Sequence, residues 1–154
     1  MWHIRLWETF GEDVRLVEKM GMAYIEGHQG NDLKNRTKSA VCLKHYVGYS
    51  TPYNGRDRSV AWIPENLLRE YFLPPFESAL IAGAQTVMLN SGDVNGLPGH
   101  ANYHYITEIL KGELKFQGFT VSDWEVYIHF FLFFSILVIT THVNLTDCDT
   151  RDAS

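Results

Sequence analysis

Three short apolar segments, each followed directly by polar residues, alternate along this chain with stretches of helical periodicity. The apolar segments cover residues 39–49, 83–89 and 119–121. Apolar runs of this length, bounded by turn residues, are typical of strands buried in a parallel sheet. Helical crossovers are long enough to connect parallel neighbours. The alternation therefore predicts an α/β fold with a parallel sheet or barrel.

The polar residues at the ends of these predicted strands are the first candidates for function. They are Lys44 and His45, residues 90–93, and Asp123 with Trp124. In (β/α)8 barrels the loops that follow the strands converge on one mouth, so we expect the three groups to share a pocket. A complete barrel needs roughly 250 residues. A chain of 154 residues is therefore predicted to form part of a (β/α)8 TIM barrel, with about three βα units.

Helical stretches are predicted at residues 13–27, from Pro64 onward and at 106–114. The first shows Leu16, Met20 and Tyr24 at helical spacing, and Gly27 offers a stop signal. The second is expected to break or kink at the Pro74–Pro75 pair, because proline cannot donate a backbone hydrogen bond.

Composition narrows the class of protein. With 45% hydrophobic residues, 20% charged residues and a net charge of −5, the chain resembles one globular domain and lacks the basic footprint of a nucleic-acid-binding protein. Cys42 lies in an apolar run and is expected to be buried, far from Cys148. Neither a disulfide framework nor a zinc spacing is present, and His100 and His104 lack a fixed acidic third ligand. We expect no metal and no cofactor.

The two ends do not look like the ends of a domain. Residues 1–5 lack the charged and apolar parts of a signal peptide. Residues 126–146 contain no Asp, Glu, Lys or Arg, and about 20 apolar residues are enough to span a bilayer. Two explanations stay open: a membrane segment, or a translated intron beginning at Val126, since every Val codon begins with the GT that usually starts an intron.

Asp123 is the sharpest catalytic candidate. A carboxylate at a strand end can act as a nucleophile on a sugar, and the face of the adjacent Trp124 can pack on the C–H surface of the ring. The alternative is that Asp123 caps the next helix.

Lys44 and His45 are candidates for holding sugar hydroxyls by hydrogen bonds. Adjacent residues of a strand point to opposite faces, so at most one of them points into the barrel unless the strand bends. The alternative is a satisfied core histidine next to a lysine whose stem lies along apolar surface.

Several strings, in order, resemble glycoside hydrolase family 3, the β-glucosidase and β-xylosidase family. The similarity covers about residues 5–125. It is carried by Arg5 with ETFGED (8–13), GHQG (27–30), LKHYVGY (43–49), GRDR (55–58), LREYFLPPF (68–76), NGLP (95–98) with His100-Ala101, and FQGFTVSDW (116–124).

The resemblance implies a retaining, exo-acting glycosidase with a (β/α)8 first domain. Asp123 matches the family's catalytic nucleophile. Lys44 and His45 match the pair that hydrogen-bonds the terminal sugar, Arg5 matches an arginine that holds its hydroxyls, and Trp124 matches an aromatic wall of the same subsite. Lys44 and Arg5 are expected to favour the charged form of Asp123.

The resemblance also implies that part of the active site lies elsewhere. The segment after Lys44-His45 lacks the second histidine of the N-acetylglucosaminidase branch, which favours the glucosidase or xylosidase side. In those members the acid/base glutamate belongs to a later domain, and nothing after Trp124 matches it. We therefore predict a partial family 3 barrel domain over residues 1–125 and an unrelated hydrophobic tail over residues 126–154.

The predicted function is hydrolysis of terminal non-reducing β-D-glucosyl residues with net retention. The open alternatives are a β-xylosidase, an inactive fragment with residual sugar binding, and a small membrane-anchored binding module. The expected partner is a β-glucoside or oligosaccharide substrate, with no nucleic acid and with a membrane contacted only through residues 126–146. Family members are mostly secreted or lysosome-like, which leaves the localisation of this chain open.

Overall fold

A computed structural model describes residues 6–30, 32–49 and 51–124 of the chain. The described residues form five strands: β1 Cys42–Tyr46, β2 Thr86–Leu89, β3 Asp93–Val94, β4 Leu97–Pro98 and β5 Phe119–Val121. Three of them make a parallel sheet in the order β1-β2-β5, with Val87 paired to Leu43 on one side and to Thr120 on the other. The predicted parallel α/β arrangement is confirmed.

The first two strands are shorter than predicted. β1 ends at Tyr46 after a register irregularity that follows Leu43, and the chain then turns at Gly48, whose φ is +80°. β2 begins only at Thr86 because Gly83, with φ +97°, ends the preceding helix. Glycine adopts a positive φ without steric cost, so each glycine sets a strand boundary that apolar content alone does not mark.

Helix α1 covers Val14–His28. Asp13 caps its first turn, because the Asp13 carboxylate accepts the Leu16 N–H at 2.7 Å. The helix passes Gly27, the predicted stop, by one residue and ends at His28. Gly30, two residues later, has φ +59° and donates its N–H to the Glu26 carbonyl at 3.0 Å. A glycine does follow the helix in the left-handed conformation, as is common at helix ends, but it is Gly30 and not Gly27.

Only part of the apolar surface of α1 is buried. Leu16, Met20 and Tyr24, whose spacing predicted the helix, remain 46%, 45% and 49% exposed. Ile25 is buried and packs with Ala79, which lies in the helix over Leu73–Ile81. Hydrophobic spacing therefore identified the helix without identifying the face that packs on the rest of the molecule.

A helical stretch with a wide turn connects β1 to β2. It consists of α2 over Glu65–Leu67, a π-helical turn over Leu68–Phe72, and α3 over Leu73–Ile81. The helix does not break at Pro74 and Pro75. The wide π turn directly precedes the two prolines, whose missing N–H groups cannot satisfy carbonyls of that turn.

A second π-helical segment, His104–Glu113, connects the β3–β4 hairpin to β5 and corresponds to the helix predicted at 106–114. The main hydrophobic core lies between the parallel sheet and the helices that connect its strands. Its most buried members are Tyr46, Leu68, Val87, Val94, Ile109 and Leu110. Cys42 is exposed, so the prediction that it is buried was wrong. Cys42 is the first residue of β1, in which successive side chains point to opposite faces, and the Cys42 side chain is on the exposed face.

None of the helices in residues 6–30, 32–49 and 51–124 is both long and apolar enough to cross a membrane. The candidate span at 126–146 lies outside the described residues, as does the whole predicted tail.

Replacing Asp13 with Ala is expected to lower the free energy of unfolding by about 1 kcal/mol, because the Leu16 N–H loses its acceptor. Asp13→Asn keeps an acceptor oxygen and should stay close to the unmodified chain. Thermal unfolding followed by circular dichroism measures both. Equal losses for Ala and Asn would mean that the carboxylate does not act as a cap.

Candidate active site

The carboxyl ends of β1, β2 and β5 lie side by side, as the sheet order requires. His45 is the fourth residue of β1, Ser91 follows β2, and Asp123 follows β5. The structure brings the His45 Nε2 and the Asp123 Oδ2 to 3.7 Å, and these side chains are only 8% and 12% exposed. A buried imidazole and a buried carboxylate thus face each other at one edge of the sheet.

The two carboxylate oxygens of Asp123 differ. Oδ1 accepts the backbone N–H of Trp124 at 2.6 Å. Oδ2 is buried and has no aligned hydrogen-bond partner among residues 6–30, 32–49 and 51–124, and the same holds for the Ser91 hydroxyl. A buried oxygen left without a partner costs free energy and is typical of a group kept for a ligand or a reaction. The helix that Asp123 would cap lies outside the described residues, so the capping alternative is not tested.

The surroundings favour the ionised form of Asp123. Burial by itself raises the pKa of the carboxyl, but the nearby Ser91 hydroxyl and the Trp124 amide oppose this effect. Electrostatic interactions with His45 and Arg58 lower the pKa further, and the net result is a pKa below the ordinary value. Lys44, which we expected to favour the charged form, is not among the groups that lower the pKa of Asp123. Arg5, the other expected group, lies outside the described residues, so its contribution stays a prediction.

The His45 ring is supported by residues that follow β1 in the chain. The Tyr49 ring lies 4.4 Å from the His45 ring, tilted by 31°. The Tyr49 hydroxyl donates a hydrogen bond to Asp57. The loop that contains Asp57 also brings Arg58 to the site, in a left-handed conformation with φ 60°. The run of three ionisable residues at 56–58 was the available signal for this contribution.

The other predicted site residues lie differently. Lys44 is exposed while its neighbour His45 is turned inward, in keeping with the alternation of side chains along a strand. Trp124 is 77% exposed, so it forms no closed wall within the described residues. Arg5 lies outside the described residues. Of the five predicted site residues, the structure brings His45 and Asp123 into direct proximity.

His100 is a site neighbour that sequence reasoning missed. Its Nε2 accepts the Asp123 backbone N–H at 3.4 Å. Burial lowers the pKa of His100, against the opposing effects of Asp123 and of the Asn90 backbone. In the sequence His100 stood out through its spacing to His104 and as part of the His100-Ala101 string of the family resemblance, neither of which predicts a contact with Asp123. His104 instead pairs with Glu108 at 2.5 Å on the surface.

The arrangement suits covalent or electrostatic catalysis by a carboxylate. An ionised Asp123, whose Oδ2 has no aligned hydrogen-bond partner among the described residues, can attack or stabilise an electron-poor carbon, and the adjacent imidazole can hold a hydroxyl group of the same ligand. In the described part of the chain, no group of three His, Cys, Asp or Glu side chains is placed to hold a metal ion.

Comparison with known proteins identifies relatives along most of the chain. The family model for the glycosyl hydrolase family 3 N-terminal domain matches residues 2–136. The chain is 52% identical over 136 residues to a lysosomal β-glucosidase of Dictyostelium discoideum, covering 81% of this chain and 17% of that protein. It is 43% identical over 122 residues to a β-xylosidase of Formosa agariphila, covering 77% of this chain and 17% of that protein.

Solved structures agree with these matches. A β-glucosidase from Listeria innocua in complex with isofagomine superposes with a TM-score of 0.80 at 30% identity, covering 82% of this chain and 18% of that one. The complex of the Listeria innocua β-glucosidase with gluconolactone gives 0.76 at 32% identity, covering 80% and 18%. This chain spans about a sixth of the length of the relatives it matches. Because the family model covers most of its residues, the chain belongs to glycosyl hydrolase family 3.

Proposed function

We propose that this chain supplies the nucleophile side of a retaining glycosidase site that acts on terminal non-reducing β-D-glucosyl residues. The observation that carries the proposal is the buried Asp123 Oδ2, which has no aligned partner among the described residues and lies 3.7 Å from His45. The names of the relatives, β-glucosidases and β-xylosidases, support the substrate class.

In the proposed reaction the Asp123 Oδ2 attacks the anomeric carbon of the sugar. The bond from that carbon to the leaving oxygen breaks, and an acid from outside the described residues protonates the leaving group. A water oxygen then bonds to the anomeric carbon and gives its proton to the deprotonated form of that acid. The ester bond to Asp123 breaks, which returns the carboxylate and releases the sugar with its configuration retained. His45 and Arg58 lower the pKa of Asp123, so the carboxylate is ionised and ready to attack at neutral pH.

Two other functions have specific support. β-Xylosidases are similar to this chain at 43% and 34% identity, so a xylosyl residue is the second candidate substrate. The third candidate is an inactive fragment that retains sugar binding, because the chain spans about a sixth of the length of its relatives.

The first test is covalent labelling of the 154-residue chain with a 2-deoxy-2-fluoro-β-glucoside that carries an activated leaving group. Such a reagent needs the nucleophile but little help from an acid, so it probes the half of the site proposed here. We expect one glycosyl adduct by intact mass, mapped by peptide sequencing to Asp123. The corresponding 2-fluoro-xyloside, run in parallel, should label more slowly.

Each alternative has its own signature in this experiment. Faster labelling by the xyloside would favour a xylosidase. Folded, soluble protein that takes neither label but still binds glucose by NMR titration would favour the inactive fragment. An adduct on another carboxylate would remove Asp123 from the role of nucleophile.

A further inference from the structure

His100 connects the ends of two strands through the backbone of Asp123. Asp123 follows β5, and its N–H is directed at the His100 Nε2, 3.4 Å away. Within the described residues β5 pairs only with β2. Any fixed partner of the Asp123 backbone therefore bears directly on where its carboxylate lies.

The turn that contains His100 is fastened to the end of β2. The Gly99 N–H donates to the Gly92 carbonyl at 3.0 Å. A Cβ at position 99 would overlap the Asn90 carbonyl oxygen and lie 3.1 Å from the Asn90 Cβ, so only glycine allows this close approach. The position of the His100 ring is consequently set by Asn90.

Asn90 in turn is fixed to the end of β1. It is 1% exposed, its N–H donates to the Tyr46 carbonyl at 2.6 Å, and its Nδ2 donates to the Val47 carbonyl at 2.9 Å. Its Oδ1 accepts the Gly92 N–H at 2.7 Å. A continuous series of contacts thus runs from the end of β1 through Asn90, the Gly99 turn and His100 to the backbone of Asp123.

The geometry also selects one form of the His100 ring. An Nε2 that accepts an amide N–H carries no proton, so the neutral ring must be protonated on Nδ1. The Asn90 backbone lies beside the same ring and interacts favourably with its protonated form, while burial opposes a positive charge there. A neutral ring with the proton on Nδ1 satisfies both.

We infer that His100 is a positioning residue that, as the neutral Nδ1–H tautomer, holds the Asp123 backbone so that the Asp123 carboxylate stays beside His45. The inference rests on the proposed function, because it assigns the reason that the nucleophile is held in place. His100 itself touches no reacting atom.

The test combines a measurement that does not depend on activity with a kinetic one. Long-range ¹H–¹⁵N NMR spectra of the 154-residue chain should show the His100 ring protonated on Nδ1 only, at neutral pH. His100→Leu should shift the Asp123 amide resonance and slow labelling by the 2-fluoro-glucoside roughly tenfold or more, with little change in the reagent concentration needed for half saturation. His100→Gln offers an oxygen near the former Nε2 and should restore most of the labelling rate.

The matched control is His104→Leu, because His104 lies on the surface four residues away and pairs with Glu108. It should leave both the Asp123 amide shift and the labelling rate unchanged. A His100 ring protonated on Nε2, or a His100→Leu variant that labels at the unmodified rate, overturns the inference. If His100→Leu fails to fold, the inference is decided by the tautomer of His100 in the unmodified chain and by the labelling rate of His100→Gln.

The proposed function can fail separately. If the unmodified chain takes no label, the retaining mechanism loses its support in this chain. The Nδ1–H tautomer and the shift of the Asp123 amide in the His100 variants then still show whether His100 holds Asp123.

Discussion

Asp123→Asn is expected to abolish labelling by the 2-fluoro-glucoside, with a loss of at least roughly 1,000-fold in the rate constant. The amide has nearly the shape of the carboxylate and keeps an oxygen for the Trp124 N–H, which now bonds Oδ1 at 2.6 Å. The variant therefore removes the nucleophile and leaves the local backbone contacts in place. Intact mass spectrometry after timed incubations gives the rate constant.

The matched control for this variant is Asp93→Asn. Asp93 is also an aspartate, but it is exposed in strand β3. Its variant should label at the rate of the unmodified chain. An Asp123→Asn protein that still forms the adduct would show that a different carboxylate is the nucleophile.

The pH dependence of labelling follows from the surroundings of Asp123. Because its folded pKa lies below the ordinary value of 3.8, the carboxylate is already ionised throughout the mildly acidic range. The labelling rate should therefore hold as the pH falls toward the ordinary aspartate range and decline only below it. The free energy of unfolding should follow the same trend. The stabilisation from the ionised Asp123 is fully present above the pKa of Asp123 in the unfolded chain, and it is lost as the pH falls through the pKa of Asp123 in the folded chain. A rate that halves near pH 6 would contradict this assignment.

Gly118→Ala is expected to destabilise the chain by about 3 kcal/mol, the largest effect of any single methyl group that we predict. A Cβ at position 118 would overlap the Gln85 carbonyl oxygen and lie 2.7 Å from the Phe116 ring. That same carbonyl accepts the Phe119 N–H at 3.2 Å, the contact that opens the pairing of β5 with β2. Relief of the overlap must move β5, and with it Asp123.

Gly21→Ala is the matched control, because it makes the same glycine-to-alanine change at a position where the added methyl group meets no atom. Position 21 is in the interior of α1, and a Cβ there would meet no atom within 4 Å. Alanine is the better helix former by about 1 kcal/mol, so this variant should raise the unfolding temperature. Thermal unfolding by circular dichroism compares the two. A Gly118→Ala protein as stable as the unmodified chain would mean that β5 does not pack against Gln85 as described.

Local sequence signals accounted for part of the secondary structure. The Phe119–Val121 strand is predicted and observed with the same bounds, and Asp13, the predicted start of the first helix, caps α1. These features depend on residues within one or two turns of each other, whose spacing and capping chemistry can be read directly. The strand ends at Gly48 and Gly83 were less visible, because a positive φ is a property of the folded backbone.

The candidate site also contains residues that the sequence predicted and residues that only the structure revealed. The sequence marked His45 and Asp123, because the order of strands in a parallel sheet places polar strand ends together. The residues that contact these two side chains were found only in the structure. Arg58 and Tyr49 belong to the loop after β1, and His100 belongs to the turn after the β3–β4 hairpin. These loops have no periodicity that predicts where their side chains point.

By itself the sequence indicated the α/β alternation and the family, and it singled out Asp123 as the candidate nucleophile. Only the tertiary structure showed which described groups lower the pKa of Asp123, which of its oxygens has no aligned hydrogen-bond partner among the described residues, and which histidine accepts its backbone N–H. The physical reason is the distance along the chain over which each kind of interaction acts. Helix and strand signals act between near neighbours. His45, Arg58 and His100 are far from Asp123 in the chain, and the packing of β1, β2 and β5 with their loops brings these groups to the carboxylate and its backbone.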